Sequence, residues 1–188
     1  MTASSRWQLS TLAGCSLAIG RYPLFRYDAR GGGASTVAQE GDSPKISLDF
    51  PSSQVQIPDL NWRTTRFLGL PLPPGLAIAI DPQRLDGQLD RSSGAVQLDF
   101  EAHFRFRIGS AATAIYEAPD LIVRTQLTTA AVRGERHQAQ GQPLSADGEA
   151  RLVGVARINP CGEAWLDRFL GLPDEALAVL HCRFSRLP

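Results

Sequence analysis

The longest regular pattern in the chain is a strict alternation. Val96, Leu98, Phe100, Ala102, Phe104, Phe106 and Ile108 take every second position, and Gln97, Asp99, Glu101, His103, Arg105 and Arg107 take those between. A period of two sustained over thirteen residues puts the apolar set on one face of a β-strand and the charged set on the other. One wet face and one buried face belong to an antiparallel sheet, because strands of a parallel sheet are apolar on both sides. Shorter alternations predict strands at Ile46, Leu48 and Phe50, and at Val55 and Ile57 beyond the turn residues Pro51-Ser52-Ser53. Others fall at Leu85, Gly87 and Leu89, and at Leu180, Cys182 and Phe184 opposite His181 and Arg183. Residues 76–80, 121–127 and the more fully apolar 152–158 add further strands. Tyr22, Phe25 and Tyr27 favour strand between residues 7 and 28, with Pro23 marking an edge or a bulge. The polar first five residues predict a frayed start.

Turns punctuate this pattern at Gly31-Gly32-Gly33, Pro73-Pro74-Gly75, Asp90 to Gly94 and Asp147-Gly148. Residues 109–118 read as a loop and 133–143 as a polar connection. One hexapeptide is written twice, as Arg66-Phe67-Leu68-Gly69-Leu70-Pro71 and as Arg168-Phe169-Leu170-Gly171-Leu172-Pro173, with Trp62 and Trp165 before the copies. Glycine followed by leucine and proline ends a helix, so each copy predicts a short apolar helix leading into a strand. Asp59 and Asn61 are candidate caps for the first helix. For the second, Asn159 serves as cap with Pro160 at its first position, and Trp165 and Phe169 share a face beside Leu166 and Leu170. The fold expected is all-β, a mostly antiparallel barrel or sandwich of about 8–10 strands with two short helices. It forms one domain over residues 1–188, and the doubled hexapeptide suggests pseudo-equivalent halves near 1–95 and 96–188.

Composition narrows the function more than it defines it. The 188 residues are 43% apolar and 20% charged, ordinary for a soluble globular chain large enough to build a core. Lys and Arg number 19 and Asp and Glu 19, so no basic excess supports nucleic-acid binding. Cys15, Cys161 and Cys182 are an odd count at wide spacing, which fits neither a disulfide framework nor a zinc site and suits reduced thiols in a cytoplasm. Leu12-Ala13-Gly14-Cys15 spells a lipobox, yet the residues between Arg6 and that box are too few and too polar for a signal. No stretch is long and apolar enough for a transmembrane helix, so the expected location is cytoplasmic, with peripheral membrane contact left open.

Candidate chemistry is sparse. No GxSxG elbow exists, the three glycines lack the GK[ST] of a phosphate loop, and His181 and Cys182 point to opposite faces of a strand. His103, His137 and His181 have no metal-ligand spacing, so neither a metal nor a cofactor is expected. The catalytic candidate is the ladder Asp99, Glu101 and His103, continued by Arg105, which inside a cup could carry general acid–base work. On an outer face the same ladder is cross-strand charge pairing, and the opposing phenylalanines favour that orientation. The binding candidate is the apolar set Trp62, Phe67, Phe100, Phe104, Phe106, Trp165 and Phe169, which could line a cavity.

The run Phe67-Leu68-Gly69-Leu70-Pro71, then Pro73-Pro74-Gly75-Leu76 and residues 90–104, resembles an uncharacterised group of cyanobacterial and plastid proteins. Ala118-Pro119-Asp120-Leu121 and Leu152-Val153-Gly154-Val155-Ala156 extend the likeness over roughly the C-terminal two thirds of the chain. The resemblance implies a photosynthetic source and carries no activity or site residues. The favoured function is therefore non-enzymatic: a binding or assembly factor holding an apolar ligand, lipid or pigment, or meeting a protein partner. A small enzyme using the acid and histidine ladder is the alternative.

Overall fold

The alternating segment forms a long strand near the middle of a large antiparallel sheet. A computed structural model describes residues 3–110 and 112–188. In chain order its strands are β1 (Ala3–Thr11), β2 (Cys15–Ile19), β3 (Phe25–Tyr27), β4 (Gly33–Glu40) and β5 (Lys45–Asp49). Next come β6 (Thr65–Phe67), β7 (Leu70–Pro71), β8 (Leu76–Asp90), β9 (Val96–Gly109) and β10 (Ala114–Glu117). The remainder are β11 (Leu121–Thr128), β12 (Ala131–Arg133), β13 (Gln138–Gln140), β14 (Glu149–Ile158), the helix α1 (Ala164–Leu170) and β15 (Asp174–Leu187).

Strand β9 lies between β8 and β11, and the sheet runs on through β14 to β15. There it forks. The C-terminal part of β15 pairs with β1, which pairs with β4, while its N-terminal part pairs with β2, followed by β3, β6 and β7. The sheet curls but does not close into a barrel, which corrects one of the two expected architectures. Between its edges runs the segment from Val55 to Leu60, held by paired backbone bonds of Gln56 with Gly33 and of Leu60 with Ile78. The second strand expected at Val55 and Ile57 is thus only a bridge, preceded by the 3-10 turn Ser52–Gln54. Residues 76–90 form one strand rather than two, and a register shift between Pro82 and Arg84 absorbs the missing proline N–H. The start of the chain is paired from Ala3 onward, not frayed, and residues 1 and 2 lie outside the described residues. The expected loop contains the short strand β10, and the polar connection contains β13, which pairs with β12 just before it.

Two layers of side chains fill the interior unevenly. At one end large residues from both sides meet: Trp7, Ile46, Phe50, Leu98, Leu152 and Phe184 are all buried in one cluster. Glu40 is buried at this end, where it accepts from the Ser5 hydroxyl and the Trp7 indole (3.1 Å) and pairs with Arg91 (3.0 Å) and Arg186 (3.1 Å). A buried charge needs such partners, because desolvation otherwise costs several kcal/mol or about that order.

The repeated hexapeptide takes two conformations, so one helix forms where two were expected. The first copy is a hairpin: Phe67 pairs with Leu70, and the two residues between, Leu68 (φ 52°) and Gly69 (φ 81°), are both left-handed. That is the turn that right-twisted strands prefer. β-Branched Thr64 and Thr65 precede it, and Thr65 is buried in β6 opposite Tyr27. The second copy follows Ala164-Trp165-Leu166-Asp167 and ends α1, with Gly171 (φ 69°) as the left-handed stop. Glu163 rather than Asn159 precedes the helix, and the Asp167 carboxylate accepts from the Cys161 (2.8 Å) and Gly162 (3.0 Å) backbone N–H groups. The buried stripe of α1 is Leu166 and Leu170, leaving Trp165 and Phe169 outside.

Two predictions test these features. A leucine in the left-handed region costs about 1–2 kcal/mol, so Leu68→Asn should stabilise the hairpin by about 1 kcal/mol and raise Tm by about 2–4 °C in thermal unfolding. The Ser5 hydroxyl, then Trp7 and the two guanidiniums, hold the Glu40 carboxyl below its ordinary 4.5 against the opposing effect of burial. Its contribution is therefore complete above pH 4.5 and is lost as pH falls through the lowered folded value. Denaturant titrations between about pH 6 and pH 3 should show Glu40→Gln less stable at the upper end and less dependent on acid at the lower.

Candidate functional site

An apolar cavity of about 420 Å³ opens within the interior and reaches the large-residue cluster at Leu98 and Leu152. Its origin is legible in the strand register. On β14 and β15 the inward positions here are small, and Gly154 lies opposite Ala178 while Ala156 lies opposite Ala176. Phe100, Phe104 and Phe106 of β9, separated from β14 by β11, line the same cavity. Those three rings are only partly buried although they point inward, whereas Val96 and Leu98 on the same face are fully buried at the packed end. Protein interiors tolerate few voids larger than a water molecule, so an unfilled volume of this size is a built feature.

Hydroxyls in the wall are already used. Thr11 donates to the Ala29 carbonyl, Tyr27 to that of Pro58, and Thr125 to that of Val155 at 2.7 Å. The wall therefore offers a bound molecule apolar surface and almost no hydrogen-bonding capacity. Apolar cavities accept apolar guests.

Both hexapeptide copies stand at the opening. The Tyr22 ring lies 6.5 Å from that of Phe67 and 5.7 Å from that of Phe169, and its hydroxyl donates to the Phe169 carbonyl. Phe25 stacks on Phe67 at 4.6 Å across the β3–β6 pair. Phe169 lines the cavity while remaining 57% exposed, so the cavity reaches the surface at this point.

Of the seven apolar candidates, Phe67, Phe100, Phe104, Phe106 and Phe169 line the cavity. Trp62 and Trp165 do not. Trp62 is exposed with the Arg63 guanidinium 4.9 Å from its ring, and Trp165 is exposed with its indole donating to Tyr116 at 2.9 Å. Sequence reasoning missed Tyr22 and Phe25 as lining residues, and missed the small row on β14 and β15. The small residues were visible as Gly154, Ala156, Ala176 and Ala178 at alternate positions, but only the pairing register brings them side by side.

The ladder Asp99, Glu101 and His103 lies on the outer face of β9, not in a cup. Arg124 donates to Glu101 (2.8 and 3.1 Å), Arg84 reaches Asp99 (3.4 Å), and Arg105 (2.7 Å) and His103 (3.4 Å) converge on Asp120. Hydrogen bonds from Arg124 and from Arg105 hold the Glu101 and Asp120 carboxyls below their ordinary values. A carboxyl so held is ionised near neutrality, whereas a general acid needs its pKa raised toward the working pH. Burial pushes the Cys182 thiol up to about 12 and also raises that of Cys15, opposite to what a nucleophilic thiol requires. Among the described residues no group of three or more His, Cys, Asp or Glu could hold a metal ion, and no helix is long and apolar enough to cross a membrane. Comparison with protein-family models, with curated proteins and with solved structures finds no match for the chain.

Exposed ion pairs contribute little, typically about 0–1 kcal/mol each. The double substitution Glu101→Gln with His103→Gln should accordingly change the unfolding free energy by less than about 1 kcal/mol in denaturant titrations. A loss of several kcal/mol would contradict the wet-face assignment.

Proposed function

We propose that the protein is a binding module for an apolar small molecule of the lipid class, held in the cavity beneath the two hexapeptides. The observation that carries this reading is a cavity of about 420 Å³ whose wall hydroxyls are committed to backbone carbonyls. Ligand sites of roughly 300–1,000 Å³ usually combine apolar walls with a few convergent polar groups. Here the polar groups are absent from the depth of the site, which favours a guest that is apolar along the buried part of its length, such as an acyl or polyprenyl chain. Its polar end belongs at the opening, beside Tyr22 and Phe169, where water and the exposed Arg21 and Arg168 are available. Burial of each methylene stabilises such a guest by about 0.8 kcal/mol, so chain length should set affinity.

Ala178 lines the cavity, and Ala178→Phe separates this reading from a filled core. In a filled core the added ring would cost about 1–3 kcal/mol or more through overpacking. In an unfilled cavity it should leave stability unchanged or raised, while binding of a fluorescent fatty acid such as parinaric acid falls at least about tenfold. A probe that binds both proteins alike would detach the cavity from the function.

A further inference from the structure

We infer that the rim of the cavity is a docking surface for an anionic lipid bilayer. Val37 on β4 and Ile122 on β11 are exposed singly, but Leu24, Leu68, Leu70, Trp165 and Phe169 all belong to the elements around the opening. Leu68 and Leu70 stand at the tip of the β6–β7 hairpin, 70% and 69% exposed, and Leu24 leads into the neighbouring β3. Tyr22 ties that hairpin to the helix bearing Phe169 and Trp165. Single exposed leucines are ordinary on a protein surface, but a contiguous apolar rim marks an interaction site.

Charge selects the occupant. The chain as a whole balances 19 basic against 19 acidic residues, yet the paired strands β3 and β6 each carry an arginine and no acidic residue. Arg26 and Arg66 are direct cross-strand partners on the outer face of β3 and β6, and neither has a carboxylate within 4.0 Å among the described residues. Like charges set directly opposite are destabilising, so the pair is suited to an anion from outside. Arg21 and Arg168, beside Tyr22 and Phe169, are likewise exposed and absent from every ion pair among the described residues. Of the carboxylates near α1, Asp174 pairs with Arg136, while Glu163 and Asp167 accept from neutral donors, keep their charge and lie on the helix side of the rim rather than on the hairpin. An apolar tip with tryptophan and unpaired arginines is the combination that seats a protein in the headgroup region of an anionic leaflet. A neutral apolar partner would leave those guanidiniums without a counter-charge.

This inference does not depend on what fills the cavity. The test is flotation of the full chain with vesicles of phosphatidylcholine alone, and of phosphatidylcholine with phosphatidylglycerol, at low and high salt. Binding should require phosphatidylglycerol and weaken with salt. Arg26→Gln with Arg66→Gln should lower the partition coefficient about tenfold or more, and Leu68→Asn with Leu70→Ser by at least about tenfold. Because Leu68→Asn relieves a left-handed leucine, its effect will not come from unfolding, and circular dichroism checks that directly. Ala178→Phe should float like the unsubstituted protein, so a failure of ligand binding and a failure of docking remain distinct. Equal flotation with both vesicle types, no flotation with either, or unchanged flotation of the leucine variant would each overturn the inference. Light scattering that shows the rim instead joining two copies of this chain, with no vesicle binding, would overturn it too.

Discussion

Every strand through the middle of this sheet has to turn one face away from water, and the curl of the sheet gives all of those faces the same interior. Strands β8, β9, β11, β14 and β15 contribute alternate residues to it. At one end the contributions are large and interlock around Ile46, Phe50 and Phe184, all buried. At the other, glycine and alanine on β14 and β15 line the same cavity as phenylalanine on β9, and the volumes do not add up to a filled core. The hydrophobic effect still drives the aromatic face inward, because the alternative is to expose it and bury six charged or polar groups. The cavity is what remains when that demand is met by side chains too small to complete the packing.

The opening of the cavity shows how weakly six residues specify a conformation. Arg-Phe-Leu-Gly-Leu-Pro is a hairpin at residues 66–71 and a helix end at residues 168–173. In both, the glycine is left-handed, at 81° and 69°. What differs is the approach. Thr65 is β-branched and favours extended backbone, and β3 offers Thr65 and Phe67 a partner strand. Ala164 to Asp167 are compatible with a helix, and Leu166 and Leu170 have a buried surface to cover. Tertiary context therefore overrides a shared local signal. Tyr22 then joins the two copies, touching Phe67 of one and Phe169 of the other.

The candidate site was partly legible before any coordinates. Five of the seven apolar candidates line the cavity, because aromatic residues on the inward face of a strand have nowhere else to go. Trp62 and Trp165 were grouped with them through their place before each hexapeptide, but one sits in a loop and the other on the solvent side of α1. The small residues that make room for the cavity carried no signal of their own, since alanine at alternate positions is as common in packed strands as in hollow ones. Which arginines stand outside an ion pair was also hidden, because a balanced total says nothing about which charges find partners.

Alternation along single segments, turn residues and the wet ionic face of β9 were determined by the sequence itself, since each depends on neighbours two to five positions away. Strand register, the fork at β15, the failure of the sheet to close and the state of each hexapeptide copy were decided only by tertiary structure. These depend on which distant backbone groups pair, and pairing between residues as far apart as Arg6 and Leu187 is not written in any local window. The cavity belongs wholly to that second category, because an unfilled volume is a property of facing side chains and not of any one strand.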